Sequence, residues 1–356
     1  MPETGLFQEL YQLYPANQMP FLQRAKRRAV RTRPYAGLKI AHNVPVTPET
    51  ALKIEVLALG GAELTVTSPS FVAPDPAAID LLRKAGIEVR DEIGFAGDVD
   101  VALDCGGELL SHVKPRVGAG ELTGTGTARY RQARLEHPVI AVDESRVKDL
   151  EALLGTGEAF VRAFRQLVPR PIAGEAFLVF GYGKVGRGIV RALRPHTGVV
   201  AVVDVDADAL AAAERAGCEA MHADETARIE NWARRAFAAV TATGVKGVVS
   251  DRFDPAAFQD AHLANMGAED EFGDGFAASD VLHDKQPVNF AVKAPTLMRY
   301  LDPVFHAHNL AVDLLLTARL EPGVHPFPSF LAEEIVDEWQ CVFGEELSEE
   351  LTALPL

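Results

Sequence analysis

From Gly37 onward, short apolar runs alternate with amphipathic stretches, at a spacing that predicts strands and helices in turn. Residues 38–42 read as a strand. Thr47-Pro48-Glu49-Thr50 then opens a helix, with Thr47 as N-cap and Pro48 in its first position, and Gly60-Gly61 stops it near residue 59. Residues 63–67 form the next strand and 76–85 a helix closed by Gly86, with further strands at 99–104 and 139–142. A second series begins near Gly174: a strand at 177–180, a tight turn at 181–188, a helix through 189–193 and a strand at 199–203. An Ala-rich helix at 207–216 and an Arg-rich one at 227–239 follow, and 331–340 reads as an amphipathic helix. Alternation of this kind predicts mostly parallel sheets with helices on both faces.

The length of 356 residues suits two domains. A formal charge of −15 argues against a nucleic-acid partner, whose phosphates need a basic face. Cys105, Cys218 and Cys341 lie too far apart for a zinc site or a disulfide framework, which suits a reducing compartment. No apolar run is long enough to span a bilayer, so a cytoplasmic protein with no membrane partner is expected. Against the acidic whole, Arg24, Lys26, Arg27, Arg28, Arg31 and Arg33 form a basic patch, expected to be a solvated helix face rather than a docking surface.

The strongest motif follows the strand at 177–180: Gly181-Tyr182-Gly183-Lys184-Val185-Gly186, a GxGxxG turn leading into a helix. The first glycine permits the turn, the second lets backbone approach a pyrophosphate, and the third lets helix and strand pack closely. Asp204 closes the next strand, where a carboxylate accepts bonds from both ribose hydroxyls and repels the extra phosphate of NADP. A Rossmann-type domain with NAD as cofactor is the expectation, with Gly181, Gly183, Lys184, Val185, Gly186 and Asp204 holding it.

With the rest of the chain, these residues resemble the adenosylhomocysteinase (S-adenosylhomocysteine hydrolase) family. The pieces are Glu49-Thr50-Ala51, Gly61-Ala62-Glu63, Asp104-Cys105-Gly106-Gly107, Glu121-Leu122-Thr123-Gly124-Thr125-Gly126, the glycine turn, Thr241-Ala242-Thr243-Gly244 and Asn265-Met266-Gly267, in the family's order. The resemblance implies a substrate domain, then a cofactor domain, then a C-terminal helix returning to the first. It also implies that Thr123 and Thr125 lie at the nicotinamide side, Thr243 near the adenosine half, and Asn265 and Asn289 toward the nicotinamide end. In the family, NAD oxidises the 3′-hydroxyl of the nucleoside, a base removes the acidified neighbouring proton, and the thiol leaves.

The family's catalytic set does not carry over. Pro45 stands at the position of its active-site histidine, Cys105 at an essential aspartate, Leu122 at a glutamate, and Ala268 at a second histidine. Asp149 replaces the lysine, with Lys148 beside it, Glu151 replaces an aspartate, and Ala152 an asparagine. The family's basic, Tyr-containing tail is absent, this sequence ending Leu354-Pro355-Leu356, which argues against the usual tail-swapped assembly. A positioned acid or base is worth roughly 10²–10⁴-fold, so these losses should abolish the parent reaction.

The expected fold is α/β with two domains, a doubly wound α/β substrate domain and a Rossmann-type NAD-binding domain. The boundaries expected are an N-terminal extension at 1–36, the substrate domain at 37–168, the cofactor domain at 169–310, and a segment returning to the substrate domain at 311–356. Candidates for acid–base work in the rebuilt pocket are His42, Lys148, Glu151 and Lys293. Thr47 and Glu49 match positions that contact the substrate's base. Cys105 is the remaining thiol candidate, and His306 and His308 read as a polar pocket wall; no metal site is expected. The function expected is hydride transfer, net or transient, on a secondary alcohol or ketone of a small polar, nucleoside-like molecule. The alternatives are a catalytically silent NAD-binding paralogue and a hydrolase with relocated catalytic groups. A homo-oligomer, a dimer first, is the expected assembly.

Overall fold

The computed structural model describes residues 6–93, 98–344 and 347. Its elements follow in chain order: α1 (Gln8–Leu13), α2 (Pro20–Thr32), β1 (Lys39–Asn43), α3 (Pro48–Leu59), β2 (Glu63–Thr67), α4 (Pro76–Lys84), β3 (Glu88–Val89), β4 (Val101–Asp104) and β5 (Gly118–Glu121). Then come α5 (Gly124–Gln132), β6 (Pro138–Ala141), α6 (Arg146–Asp149), a π-helical turn (Leu150–Gly155), α7 (Thr156–Leu167), β7 (Phe177–Phe180), α8 (Lys184–Leu193), β8 (Val200–Asp204) and α9 (Ala207–Arg215). The remainder is β9 (Glu219–His222), α10 (Thr226–Ala233), β10 (Ala238–Thr241), β11 (His262–Asn265), β12 (Val281–Leu282), α11 (Met298–Thr317), β13 (Gly323–Pro326) and α12 (Ser329–Phe343).

Two parallel sheets carry the α/β architecture. The first runs β13-β6-β5-β4-β1-β2-β3 and the second β12-β11-β10-β7-β8-β9. In each the chain starts in the middle, moves outward one way, then returns to build the other side. The reversal points are β1/β4 and β7/β10, where doubly wound sheets bind ligands at the strands' carboxyl ends.

The chain divides into two compact units. One runs to Leu150 and resumes at Met298; the other covers Glu151–Leu297. Both divisions fall earlier than the expected 168/169 and 310/311. Helix α7 belongs with the second unit because Gly157 packs against the Gly188 backbone, where any Cβ would collide. Helix α11 belongs wholly to the first.

Local chemistry explains the elements read correctly. Thr47 Oγ1 accepts the Thr50 N–H at 3.3 Å and caps α3, with Pro48 at its first position. Two readings were too long. The glycine turn is shorter than 181–188, since α8 already starts at Lys184, and the Arg-rich helix ends at Ala233, because Ala238–Thr241 pairs into the sheet centre. The tail at 354–356 and the first residues of the N-terminal extension lie outside the described residues.

Helix α11 escaped the sequence reading because Pro303 stands inside it. Proline has no N–H for the Arg299 carbonyl four residues back; the Trp339 indole N–H of α12 donates to that carbonyl at 2.7 Å instead. Asp302 on the same helix accepts the N–H groups of Phe21 and Leu22, each at 2.8 Å, satisfying the first turn of α2. Burial pushes its carboxyl up to about 8 while those two bonds pull it down. The basic patch lies on α2 and is not simply solvated. Arg24 pairs with Glu338, Lys26 with Glu55 at 2.8 Å, and Arg28 with Asp313 at 2.7 Å, while Arg27, Arg31 and Arg33 stay exposed.

His306 faces the Phe21 ring with centroids 5.8 Å apart, and burial lowers it to about 4. Between 6.5 and 4 the unfolded chain therefore binds a proton that the folded chain refuses. This residue's contribution to stability should be constant above that window and fall as pH drops through it, by up to about 3 kcal/mol. Urea unfolding of the wild type and His306→Phe across this range should show the wild type losing stability relative to the variant; parallel curves would contradict it.

Candidate functional site

In the second unit, Phe180 ends β7 and Gly181 turns the chain at φ +89, a left-handed conformation that side chains resist. A Cβ on Gly181 would lie 2.5 Å from the Ala242 oxygen, and one on Gly186 would collide with the Gly181 carbonyl. Gly183 differs: its missing Cβ would point into open space. It is the N-cap of α8 and offers no side chain to the first-turn amides, which leaves them to an anion. Lys184 and Val185 begin that helix, half-buried. The turn therefore fits a dinucleotide pyrophosphate on its own geometry: two glycines are demanded by packing, and the third leaves room for a ligand.

Asp204 ends β8 beside this turn. Its Oδ2 accepts the Tyr182 N–H at 2.6 Å, and its Oδ1 accepts those of Val205 and Asp206 at 2.7 and 2.9 Å. Three backbone bonds fix the carboxylate's direction. Thr243, after β10, donates from both N and Oγ1 to Glu271 Oε2, at 2.8 and 2.7 Å, and Gly244 N donates to Oε1 at 2.7 Å. The sequence reading missed Glu271, which sits in an acidic stretch that looks solvated but is fully buried. Val205 and Val245 flank the turn from the ends of β8 and β10, and both are more than half exposed (63% and 54%). Unspent apolar surface at those two strand ends suits the faces of a planar ring.

Asn265 is occupied inside the chain. Its amide donates to the carbonyls of Gly267, Glu269 and Lys285, while its oxygen accepts from Thr241 Oγ1 and Gly267 N. Asn289 is buried in a short 3-10 turn, and Lys293 is exposed.

In the first unit, the reversal point holds a buried polar cluster. Asp104 accepts from Asn43 Nδ2, Cys105 N, Leu109 N and Tyr130 OH at 2.8–3.1 Å. Glu121 accepts from Gly106 N, Gly107 N, Thr123 N and Thr123 Oγ1 at 2.7–3.1 Å. Burial raises both carboxyls, Glu121 to about 8, and Asp104's charge adds to the shift on Glu121. Together they clamp the Gly106-Gly107 loop. Thr123 is part of that clamp, since it also caps α5 through Gly126 N at 3.0 Å, whereas Thr125 is exposed on the helix's first turn. Beside Gly107 a cleft of about 630 Å³ opens between the loop and α5, with Ser70, Glu108, His112 and Arg129 on its walls.

Behind the loop lie the other candidates. Thr47 is engaged as a cap. Glu49 is fully buried; Tyr14 OH donates to its Oε1 at 2.6 Å, its Oε2 has no hydrogen-bond partner, and burial raises its carboxyl. His42, on β1, lies with Nε2 2.9 Å from Nζ of Lys53, a lysine that the sequence reading passed over as one polar position in an apolar helix. Cys105 is buried within reach of the Lys53 charge, so the thiol has a basic neighbour that the sequence did not reveal. His306 and His308 sit on a helix, not an extended stretch, and face apart: the first toward Phe21, the second with Nε2 3.0 Å from Gly120 O on β5. Lys148 lies in α6, which Asp149 ends, while Glu151 lies in the π-helical turn that begins the other unit, so the regular helical spacing assumed for the two does not apply.

Comparison with known proteins agrees with this geometry. Residues 152–289 match the family model described as S-adenosyl-L-homocysteine hydrolase, NAD binding domain. The adenosylhomocysteinase of Thermoplasma acidophilum is 25% identical across 94% of this chain and 93% of its own length. That of Aeropyrum pernix is 30% identical across 70% of this chain and 65% of its own. The S-inosyl-L-homocysteine hydrolase of Methanopyrus kandleri is 28% identical across 53% and 51%. The cofactor of the matched domain is NAD, and the glycine turn that fits it is intact in this chain. Residues 152–289 thus match the NAD-binding domain of the S-adenosyl-L-homocysteine hydrolase family, and the chain is similar to that family's members at 25–30% identity.

Proposed function

We propose that this protein is an NAD-dependent enzyme that transfers a hydride between the cofactor and a secondary alcohol or ketone of a small polar, nucleoside-like molecule. One contrast carries the reading: the dinucleotide turn keeps every feature its ligand needs, while Pro45, Leu122 and Ala268 stand where the resemblance places acid–base groups. Loss of those groups argues against thiol elimination but not against the hydride step, which needs a positioned cofactor and one proton acceptor.

When bound, NAD accepts or returns the hydride. The remaining work falls to the chain. The first-turn amides of α8 hold the pyrophosphate, and Asp204, aimed by three backbone bonds, takes the ribose hydroxyls. His42 is the acid–base side chain best supported among the original candidates, because it is buried at the reversal point of its sheet while Lys293 is exposed. Glu49, with one carboxylate oxygen unpartnered, is suited to accept from a polar ring edge once it is ionised. The silent-paralogue reading has one observation in its favour, the complete burial of both His42 and Glu49.

Three outcomes are expected. Denaturing the purified protein should release NAD, and a panel of nucleosides and other secondary alcohols should include one that raises the reduced-nicotinamide absorbance; tight NAD with no turnover on any of them would favour the silent paralogue. Asp204→Ala should weaken NAD about 10–100-fold and reduce discrimination against NADP, as for loss of hydrogen bonds to a charged group. By calorimetry with NAD, Gly183→Ala should fold normally yet bind the cofactor more weakly, since its new methyl enters the ligand's space; Gly186→Ala should already fail to fold its unit. Equal NAD affinity in Gly183→Ala and wild type would remove the pyrophosphate from this turn.

A further inference from the structure

Lys53 has no exposed surface, and the one hydrogen bond of its amine among the described residues is the 2.9 Å contact with His42 Nε2. A buried ammonium needs three acceptors and a counter-charge. Neither is at hand. The acids of its own helix are turned elsewhere, Glu49 to Tyr14 and Glu55 to Lys26 and Tyr11, and Asp104 and Glu121 are taken by the glycine loop. The groups whose fields reach the pair are His308 from α11 and Cys105 after β4, with Lys148 of α6 acting on His308. None of these groups is a carboxylate, so a charge on Lys53 would have no acid beside it. Burial holds the amine far below an ordinary lysine.

The imidazoles fix the direction of the unit. His308 Nε2 faces the Gly120 carbonyl, which can only accept, so that nitrogen carries the proton and Nδ1 is a bare lone pair. His42 Nδ1 is likewise buried without a partner. With Nε2–H of His42 donating into the Lys53 lone pair, the pair keeps one basic nitrogen, Nδ1, buried and without a partner among the described residues, near the carboxyl end of β1, where its sheet reverses.

We propose that Lys53 and His42 form the acid–base centre of the first unit, the neutral amine receiving through the imidazole the proton that leaves a substrate hydroxyl. This deepens the hydride-transfer reading and rests on it. In the oxidation direction the C–H pair departs as hydride to the nicotinamide, the O–H bond breaks, and the carbonyl forms. The hydroxyl proton goes to His42 Nδ1 as the Nε2 proton passes to Lys53 Nζ, which ends as an ammonium beside a neutral imidazole. His42 meets the substrate; Lys53 is a positioning residue that acts through it.

The test has two arms on the full NAD-loaded chain. In protein carrying ¹³C-labelled lysine, the signal that disappears in Lys53→Met should titrate below pH 7, more than three units under the ordinary lysine value of about 10.4, and should move upward in His42→Gln. A midpoint near the ordinary value overturns the proposal, and this readout needs no variant to be active. In the second arm, NAD reduction is followed against pH with whichever nucleoside or alcohol of the panel turns over. Lys53→Met should lose about a hundredfold or more in rate together with the wild type's acidic limb, with NADH affinity by fluorescence unchanged. An unchanged limb sinks the relay while leaving hydride transfer standing. A wild type that reduces no NAD with any member sinks the hydride reading and the relay with it, even where the amine titrates low.

Discussion

The fold depends on carboxylates that gather backbone amides at the ends of parallel strands. Each sheet ends in turns whose N–H groups point away from the ladder and must find acceptors. Asp104 and Glu121 supply them in the first unit, and Asp204 and Glu271 in the second. Such an acid is tolerable away from water only when several donors converge on it. The burden runs both ways, since the loop cannot relax without stranding the acid. The loops that carry ligand chemistry are thereby among the most constrained parts of the molecule.

This constraint separates what the chain has kept from what it has changed. The second unit keeps a turn in which glycine is required twice by packing and once by open space, with Asp204 held in a fixed direction. The first unit keeps the scaffold of the loop, Asp104 to Gly107, but surrounds it with other chemistry. On the resemblance, Cys105, Leu122 and Pro45 stand where the family carries acids and a base, and Lys53 sets an amine within the wall of α3. The intact glycine turn of the second unit, set against the changed chemistry around the first unit's loop, is the contrast on which the proposed hydride transfer rests.

The N-terminal segment makes a second point about charge. Its basic residues look like a docking face in an acidic protein, yet three of them pair with acids of α3, α11 and α12. The more exposed pairs, Arg24–Glu338 and Arg28–Asp313, add little stability each. The alignment of α2 is carried instead by Asp302, which satisfies two of its first amides from inside the fold.

Much was legible from order alone. The N-cap at Thr47, the strands at Glu63–Thr67 and Phe177–Phe180, and the glycine turn with Asp204 all follow from local rules: capping, alternation, and the glycines needed at a tight turn. Those rules act within a few residues, so they survive in the sequence. Other features depend on partners far away in the chain. The Arg299 carbonyl finds Trp339, Glu271 finds Thr243, and Asp302 finds α2, and no window of sequence contains both halves. Lys53 is the sharpest case, because in the pattern of its helix it is one polar position among several, and only the tertiary fold sets its amine against His42. By itself the sequence determined the elements and the cofactor, since backbone conformation and a glycine turn are local matters. The charge state and direction of buried side chains were decided by tertiary structure, because burial and long-range hydrogen bonds exist only once the chain has closed on itself.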